Sequence, residues 1–341
     1  MRSFGSDNNS GVHPRIMDAI VKANSDHAIG YGDDDWTRNA EAAMQTLLET
    51  DSVKPYFVFN GTGANVIALQ ACLSSFHSII CASTAHIAVD ECGAPTKLTG
   101  CAIKEIETKD GKLTPELVTP YLHGFGIDHH SQPKVIAISQ TTELGTAYTP
   151  QEVRDLAELA HQHNMYLFVD GTRLSNACDT LQVSLKELTI DCGVDIFTMG
   201  GTKNGLMMGE VIIALQPELE QTLMYYRKQT CQLYSKMRYL SSQFIPSLSE
   251  NIWLDNARKS NAAAQQLANA MRKMKDVEIT QKVESNAIFF IIPKNISDEL
   301  RKNYFFYDWD ESRNEMRLVC SWDTTQNDIN DFINNLQKLI N

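Results

Sequence analysis

Three features that would assign a protein to a membrane, a secretion route or nucleic acid are missing from this sequence. No segment approaches the ~20 consecutive apolar residues of a membrane-spanning helix. The N-terminal stretch MRSFGSDNNSGVHP has no apolar segment of the kind found in secretion signals. No run of Lys and Arg is interleaved with aromatic residues, and the net charge of -12 with a pI near 5.2 opposes binding to a phosphate backbone. We therefore expect a soluble, cytoplasmic protein that binds neither membranes nor nucleic acid.

A cysteine framework is missing as well. The eight cysteines are scattered, form no Cys-x-x-Cys pair, and in several cases lie inside apolar segments such as SIICAS and MRLVC. This pattern is typical of small core residues in a reducing compartment. It predicts neither a disulfide framework nor a metal site.

The alternation of short apolar runs with helical stretches indicates an α/β fold. PYFVFN, SIICAS, KVIAISQ and MYLFVDG are such runs, all within residues 55–215. Continuous apolar strands separated by helices are typical of a mostly parallel sheet covered on both faces. With 341 residues we expect more than one domain. The predicted division is an N-terminal arm (1–14), a large α/β domain (15–250) and a small α+β domain (251–341).

Local signals predict individual elements. Thr149, Pro150 and Glu152 form the pattern of a capping box at the start of a helix. The first 40 residues suggest an extended arm with one short helix, HPRIMDAIVKA, and the last ~65 residues suggest the order strand, strand, helix, strand, helix.

A glycine-rich turn follows the run PYFVFN. Gly61, Thr62 and Gly63 open the next helix, whose free N–H groups and dipole favour an anion. The turn lacks the third glycine of a dinucleotide fingerprint and the Lys-Ser/Thr ending of a P-loop. It is either a phosphate-binding turn or an ordinary glycine turn, with about equal weight.

Polar residues follow three further apolar runs. Asp170 and Arg173 come after MYLFVDG, where ligands of open α/β sheets bind. The acid is suited to a protonated ring nitrogen and the arginine to a carboxylate, although a local ion pair would explain both. His86 follows SIICAS and Lys203 lies in FTMGGTKNGLMMGE, and either residue alone has an ordinary structural explanation.

The coincidence of these groups points to pyridoxal 5'-phosphate (PLP). This cofactor carries a phosphate, a ring nitrogen that an acid keeps protonated, and an aldehyde that reacts with a lysine. The turn at Gly61, Asp170 and Lys203 supply these three in order, and the glycines beside Lys203 are expected to let the backbone pass close to the cofactor.

The motifs YGDDDWTRNAE, FNGTGANVIAL, STAHIAVDECGAP, FVDGTRLSNA, FTMGGTKNG and MRLVCSWD carry a resemblance to a known family. The chain resembles low-specificity L-threonine aldolases of the β-eliminating lyase superfamily, which are fold-type I PLP enzymes. The resemblance implies a large domain with a mostly parallel seven-stranded sheet, a small C-terminal domain, and a homo-oligomer, dimer or tetramer, with sites at a dimer interface. It further implies cleavage of β-hydroxy-α-amino acids to glycine and an aldehyde.

The resemblance also implies roles for single residues. Gly61, Thr62 and Gly63 would bind the cofactor phosphate, His86 would stack on the ring, Asp170 would pair with its nitrogen, and Lys203 would form the Schiff base. Ser6, Arg173 and Arg317 would hold the substrate carboxylate, and Tyr31 would line the pocket, from the neighbouring subunit.

Two segments depart from the family pattern. Many members have Glu-Asn-Thr-His-Asn where this chain has QTTELG, and the histidine of that motif is a candidate base. In this chain Glu143 lies nearest to the position of that histidine. The base could be His86, Glu143 or a water held by either. The segment RKQTCQLYSKMR replaces a glycine-rich one, leaving Lys228, Lys236 or Arg238 as candidates to reach the phosphate. Both segments resemble the branch that includes phenylserine aldolase.

There are three alternatives to cleavage of a β-hydroxy-α-amino acid. They are β-elimination, transamination, and a binding protein without turnover.

Overall fold

A computed structural model describes residues 2–340 of the chain. Its strands, in chain order, are β1 (Arg2–Ser3), β2 (Tyr56–Val58), β3 (His77–Ala82), β4 (Ala102–Ile106), β5 (Gln132–Ser139), β6 (Tyr166–Asp170), β7 (Ile196–Gly200), β8 (Glu210–Ala214), β9 (Glu278–Ile279), β10 (Ala287–Ile291), β11 (Tyr304–Phe305), β12 (Tyr307–Asp310) and β13 (Glu315–Val319). Its helices are α1 (Pro14–Ala23), α2 (Asp35–Leu47), α3 (Gly61–Cys72), α4 (His86–Val89), α5 (Ala94–Thr99), α6 (Pro115–Val118), α7 (Pro150–Gln162), α8 (Leu174–Leu181), α9 (Leu185–Leu188), α10 (Pro217–Gln229), α11 (Arg238–Ser241), α12 (Phe244–Ser249), α13 (Ile252–Met271), α14 (Lys294–Leu300) and α15 (Gln326–Ile340).

The large sheet has seven strands in the order β2-β8-β7-β6-β5-β3-β4. Strands β7, β6, β5, β3 and β4 pair in parallel, and β8 lies antiparallel between β2 and β7. Apolar side chains fill both faces, with Phe57 and Phe197 in one core and Tyr56 and Phe168 in the other. Burial on both faces explains why the strands are continuous apolar runs. The predicted α/β fold with a mostly parallel seven-stranded sheet is confirmed.

The capping box at the start of α7 is present as predicted. Thr149 Oγ1 accepts a hydrogen bond from Glu152 N at 3.3 Å, and Glu152 Oε2 accepts one from Thr149 N at 2.7 Å. Pro150 occupies the first helical position, where a missing N–H costs nothing.

A four-stranded antiparallel sheet, β12-β13-β10-β9, forms the small C-terminal unit with α14 and α15. Two short strands, β11 and β12, are absent from the predicted order of strand, strand, helix, strand, helix. The arm joins this unit, because β1 pairs with β11 and Phe4 is fully buried against Tyr304 and Phe332. The first 40 residues also contain the start of a second helix, α2, which the sequence did not predict.

Helix α13 runs through both units. Ile252 and Trp253 at its start belong to the large core, whereas Leu267 and Met271 near its end belong to the small one. The division at residue 250 stays a prediction.

All eight cysteines are free, and six are buried, whereas Cys92 and Cys231 are exposed. Within residues 2–340 no helix combines the length and the apolarity needed to cross a bilayer.

Candidate active site

Six strands of the large sheet, all except β8, end at one edge, and β8 begins there because it runs the other way. The turns that follow β2, β3, β6 and β7 enclose a cavity with the start of β8 and one residue of the arm. The cavity has a volume of about 230 Å³, below the ~300–1,000 Å³ of pockets for drug-sized ligands, which suits a single-ring ligand better than a dinucleotide. Its walls are formed by Asn8, Phe59, Asn60, Gly61, Thr62, Asn65, His86, Thr172, Thr202, Lys203 and Glu210.

The glycine-rich turn forms the first turn of α3. Asn60 is the N-cap, and its Oδ1 accepts a hydrogen bond from Gly63 N at 2.8 Å. In the part of the chain that the structure describes, the N–H groups of Gly61 and Thr62 have no protein acceptor, and both residues line the cavity. A helix N-terminus with free N–H groups is a site for an anion.

A buried polar chain links Asp170 to His86. Asn65 Nδ2 donates to Asp170 Oδ2 and to Glu91 Oε1, both at 2.8 Å, and His86 Nδ1 lies 2.9 Å from the same Glu91 oxygen. Asp170 Oδ1 accepts from the N–H and the hydroxyl of Thr172 at 3.0 and 2.7 Å. Asp170 is 4% exposed, and Asn65 and Thr172, its hydrogen-bond donors, line the cavity. The carboxylate is therefore fixed in orientation beside the cavity.

The hydrogen bond to Glu91 raises the pKa of His86 above its ordinary value, against the lowering effect of burial. The negative charges of Glu143 and Asp170 act in the same direction. His86 is the first residue of α4 and lines the cavity. A raised pKa increases the imidazolium fraction near neutral pH.

Lys203 lies in a short 3₁₀ turn, 202–204, between β7 and β8, and it lines the cavity. The glycines before it pack against protein. A Cβ on Gly200 would lie 2.1 Å from Thr172 O, and one on Gly201 would lie 2.6 Å from Gly209 O. These glycines therefore let neighbouring turns approach each other. The expectation that they also bring the backbone close to the cofactor stays a prediction.

Arg173, just before α8, is paired with a carboxylate of the arm. Its Nε and Nη2 donate to Asp7 Oδ2 and Oδ1 at 2.8 and 3.1 Å, and Asn286 Nδ2 donates to Asp7 at 3.0 Å. Burial alone would raise the pKa of Asp7, but the charges of Arg173 and Lys203 and these hydrogen bonds hold it below its ordinary value. Burial likewise opposes the charged form of Arg173, yet Asp7, Glu143 and Asp170 raise its pKa.

Arg317, on β13, is a cation without such a partner. Its guanidinium lies 5.1 Å from the centre of the Trp309 ring, and its buried Nε has no hydrogen-bond partner. Burial lowers the pKa of Arg317 and the charge of Arg173 adds to this effect, whereas Glu143 opposes it. The two arginines and Glu143 are therefore electrostatic neighbours, although none of the three lines the cavity itself.

Several predicted residues lie outside the cavity wall. Ser6 Oγ accepts a hydrogen bond from Asn8 N at 3.1 Å, so it caps a 3₁₀ turn, and Asn8 is the arm residue in the wall. Tyr31 is 55% exposed, with Lys228 Nζ 5.2 Å from its ring centre. Lys236 and Arg238 line a separate cavity with residues 26–30.

Gln232 is the residue of that segment that reaches the glycine-rich turn. Its Oε1 accepts a hydrogen bond from Phe59 N at 2.9 Å, and a Cβ on Gly63 would lie 2.5 Å from its side chain. A side chain at position 63 would therefore displace the end of the Gln232 side chain.

Five residues that shape the site were not predicted from the sequence, namely Asp7, Asn65, Glu91, Thr172 and Glu210. Each is within a few positions of a predicted residue, as Asp7 is next to Ser6. Their closeness in sequence to predicted residues was the available signal. It does not show where a side chain points or which residue it contacts.

Comparison with known proteins places this site in a class. The Beta-eliminating lyase family model matches residues 3–294, and the chain belongs to that family. Members use PLP, and the chain is a PLP-dependent aldehyde-lyase.

Individual relatives cover almost the whole chain. A low specificity L-threonine aldolase from a Pseudomonas species is 38% identical over 327 residues, 95% of this chain and 94% of that protein. One from Pseudomonas aeruginosa is 38% identical over 95% of this chain and 93% of its own. The structure of Leishmania major threonine aldolase superposes with a TM-score of 0.95 at 30% identity and 100% coverage of both chains.

The residues present fit PLP. The free N–H groups of the first turn of α3 suit its phosphate, the buried Asp170 suits its ring nitrogen, and Lys203 in the same cavity suits its aldehyde. The donor set thus matches all three functional groups of the cofactor.

Proposed function

We propose that the chain cleaves L-threonine and related β-hydroxy-α-amino acids, of the L-allo-threonine and phenylserine type, to glycine and an aldehyde. The relatives described as threonine aldolases support this substrate class. The observation that carries the proposal is the unpartnered Nε of Arg317 in the neighbourhood of Arg173 and near a cavity that contains Lys203.

The two arginines are the candidates for the substrate carboxylate. Asp7 occupies Nε and Nη2 of Arg173, which leaves Nη1 of Arg173 and Nε of Arg317 for a second anion. A carboxylate there would remove the repulsion between the two cations, and hydrogen bonds between charged groups are strong. Ser6 stands two positions before Asn8 of the cavity wall and is proposed to assist.

PLP supplies the electron sink that makes the bond between Cα and Cβ breakable. Lys203 would hold the cofactor through its aldehyde and would yield that position to the substrate amine. Asp170, oriented by Asn65 and Thr172, would keep the ring nitrogen protonated, and His86 would cover the ring. Gly61, Thr62 and Gly63 would hold the phosphate.

We assign removal of the β-hydroxyl proton to Glu143. In the described residues its carboxylate is not engaged in a protein hydrogen bond, and its charge acts on both His86 and Arg317. His86 is the weaker candidate, because its hydrogen bond to Glu91 raises its pKa and so favours the charged form, which cannot accept a proton.

One assay tests the reaction. Glycine, aldehyde, 2-oxo acid and ammonia are quantified after incubation with L-threonine, L-allo-threonine and phenylserine. Glycine and aldehyde in equal amounts are expected from at least one of them. Accumulation of a 2-oxo acid or ammonia would instead assign β-elimination or transamination.

The assembly is proposed to be a homo-oligomer, a dimer or tetramer, in which Tyr31 reaches the site of a neighbouring copy. Tyr31 is exposed and is not part of the cavity wall within one chain, which supports this arrangement. Light scattering that finds an active monomer would contradict it.

A further inference from the structure

Glu210 is a buried acid between the two ends of the cavity. It is the first residue of β8, and its register partners are Val58 on β2 and Gly200 on β7. The strand β2 leads into the turn at Gly61, and β7 leads into the turn of Lys203. Glu210 is 6% exposed and lines the cavity together with Gly61, Thr62 and Lys203.

The carboxyl group of Glu210 is held by the turn that carries Lys203. Its Oε2 accepts a hydrogen bond from Gly201 N at 2.9 Å. This contact holds the group without neutralising it, because within residues 2–340 no cation lies within 4.0 Å of its oxygens.

The charge environment of Glu210 favours its neutral form. Burial raises its pKa to about 7, although the hydrogen bonds and the charge of Lys203 oppose this effect and Asp170 adds to it. His86 faces the cavity from α4, whereas the wall formed by Phe59, Asn60, Gly61 and Thr62 carries no charged side chain. Nothing on that side compensates a second negative charge.

We propose that Glu210 takes up a proton when the phosphate of the cofactor binds and releases it when the phosphate leaves. The proposal rests on the assignment of the turn at Gly61 to that phosphate. A phosphate monoester carries roughly -1.5 to -2 charges at neutral pH. A buried carboxylate in the wall of the same cavity is destabilised by like charge, so the neutral carboxyl group, which can also donate a hydrogen bond, is the stable form.

The experiment compares PLP binding by the wild-type protein and Glu210→Gln between pH 6 and 8.5. The glutamine keeps the size of the side chain and an oxygen acceptor for Gly201 N, but it does not titrate. Below the pKa of about 7 the wild-type group is already protonated and the two proteins should show parallel affinities. Above it, the ratio of wild-type affinity to variant affinity should decrease with pH. The decrease should approach roughly tenfold per pH unit, because binding is then coupled to the uptake of one proton.

Calorimetry in buffers of different ionisation enthalpy measures the protons directly. At pH 8 the wild-type protein should take up about one proton more than Glu210→Gln, and near pH 6 the difference should vanish. Glu210→Asp, which retains a titrating group, should retain the pH-dependent uptake. If Glu210→Gln does not fold, the rise of wild-type uptake between pH 6 and 8 and the aspartate variant still test the proposal.

Pyridoxal, which lacks the phosphate, separates the phosphate from Lys203 as the cause. The difference between wild type and Glu210→Gln should disappear with pyridoxal, and its persistence would overturn the proposal. Equal pH profiles with PLP would overturn it as well. If wild type and Glu210→Gln both show violet-blue absorbance with PLP, the assignment of PLP stands even when the Glu210 proposal fails. If neither protein shows this absorbance, the assignment of PLP itself is overturned.

Discussion

The two ends of the active site handle negative charge differently. At the end formed by α3, free backbone N–H groups are proposed to bind the phosphate, and Glu210 of the same cavity has a pKa raised to about 7 by burial. At the other end, outside the cavity wall, two half-buried arginines are proposed to bind the substrate, and Asp7 already pairs with one of them.

The two ends differ in how their charge is balanced when no ligand is bound. The arginine end carries permanent charges, so it needs a permanent counter-ion in Asp7 and is stable only with it. The α3 end carries partial charges of the helix dipole and can use a proton at Glu210 as its adjustable charge. The first end is suited to selecting a charged substrate, and the second to retaining a cofactor.

Replacing Lys203 abolishes the chemistry that both ends serve. Lys203→Ala should lower kcat/KM on the order of 10⁴-fold or more, as loss of a covalent catalytic residue does. The violet-blue absorbance of the protein with PLP should also disappear. Lys338→Ala, an exposed lysine on α15, is the matched control and should change neither quantity. Absorbance that survives in Lys203→Ala would refute the assignment.

Glu143→Gln tests the base at the arginine end. The variant should lower kcat/KM for L-threonine by about 10²–10⁴-fold, the usual contribution of a general base. PLP absorbance should remain, because Glu143 does not line the cavity that holds the cofactor. Glu116→Gln, an exposed acid on α6, is the control. Unchanged cleavage of threonine would move the role to His86.

The sequence predicted the residues that stand at strand ends. The position of Lys203, Asp170 and Gly61 depends on local order alone, since parallel strands bring their carboxyl ends to one edge of the sheet. The same local logic predicted α7 from Thr149 and Glu152.

Contacts between distant segments could not be predicted in this way. Asp7 meets Arg173 only because Phe4 fastens the arm to the small unit, and that packing leaves no periodic signal. Gln232 contacts the glycine-rich turn through the fold of the segment after α10, whereas the predicted candidates from this part of the chain were Lys228, Lys236 and Arg238. The strand β12 was missed because the run YDWD is polar and lies at the edge of a sheet.

The same substitution should have different effects at Arg173 and at Arg317. Arg173→Gln should lower the free energy of unfolding by about 3–5 kcal/mol, because it leaves Asp7 buried without its cation. Arg317→Gln removes no ion pair, so the melting temperature should stay close to that of the wild type. It should instead raise KM for L-threonine about 10–150-fold, the equivalent of the 1.5–3 kcal/mol of one charged hydrogen bond.

Thermal denaturation and steady-state kinetics on the two variants separate the two effects. Asp7→Asn combined with Arg173→Gln should recover part of the stability lost in Arg173→Gln, since the buried charge is then absent. If Arg317→Gln lowers the melting temperature as much as Arg173→Gln does, then Arg317 is a structural cation. The proposed difference between an ion-paired Arg173 and a substrate-binding Arg317 is then wrong. If KM is unchanged in Arg317→Gln, the substrate carboxylate is bound elsewhere, and the free Nε of Arg317 has no part in recognising it.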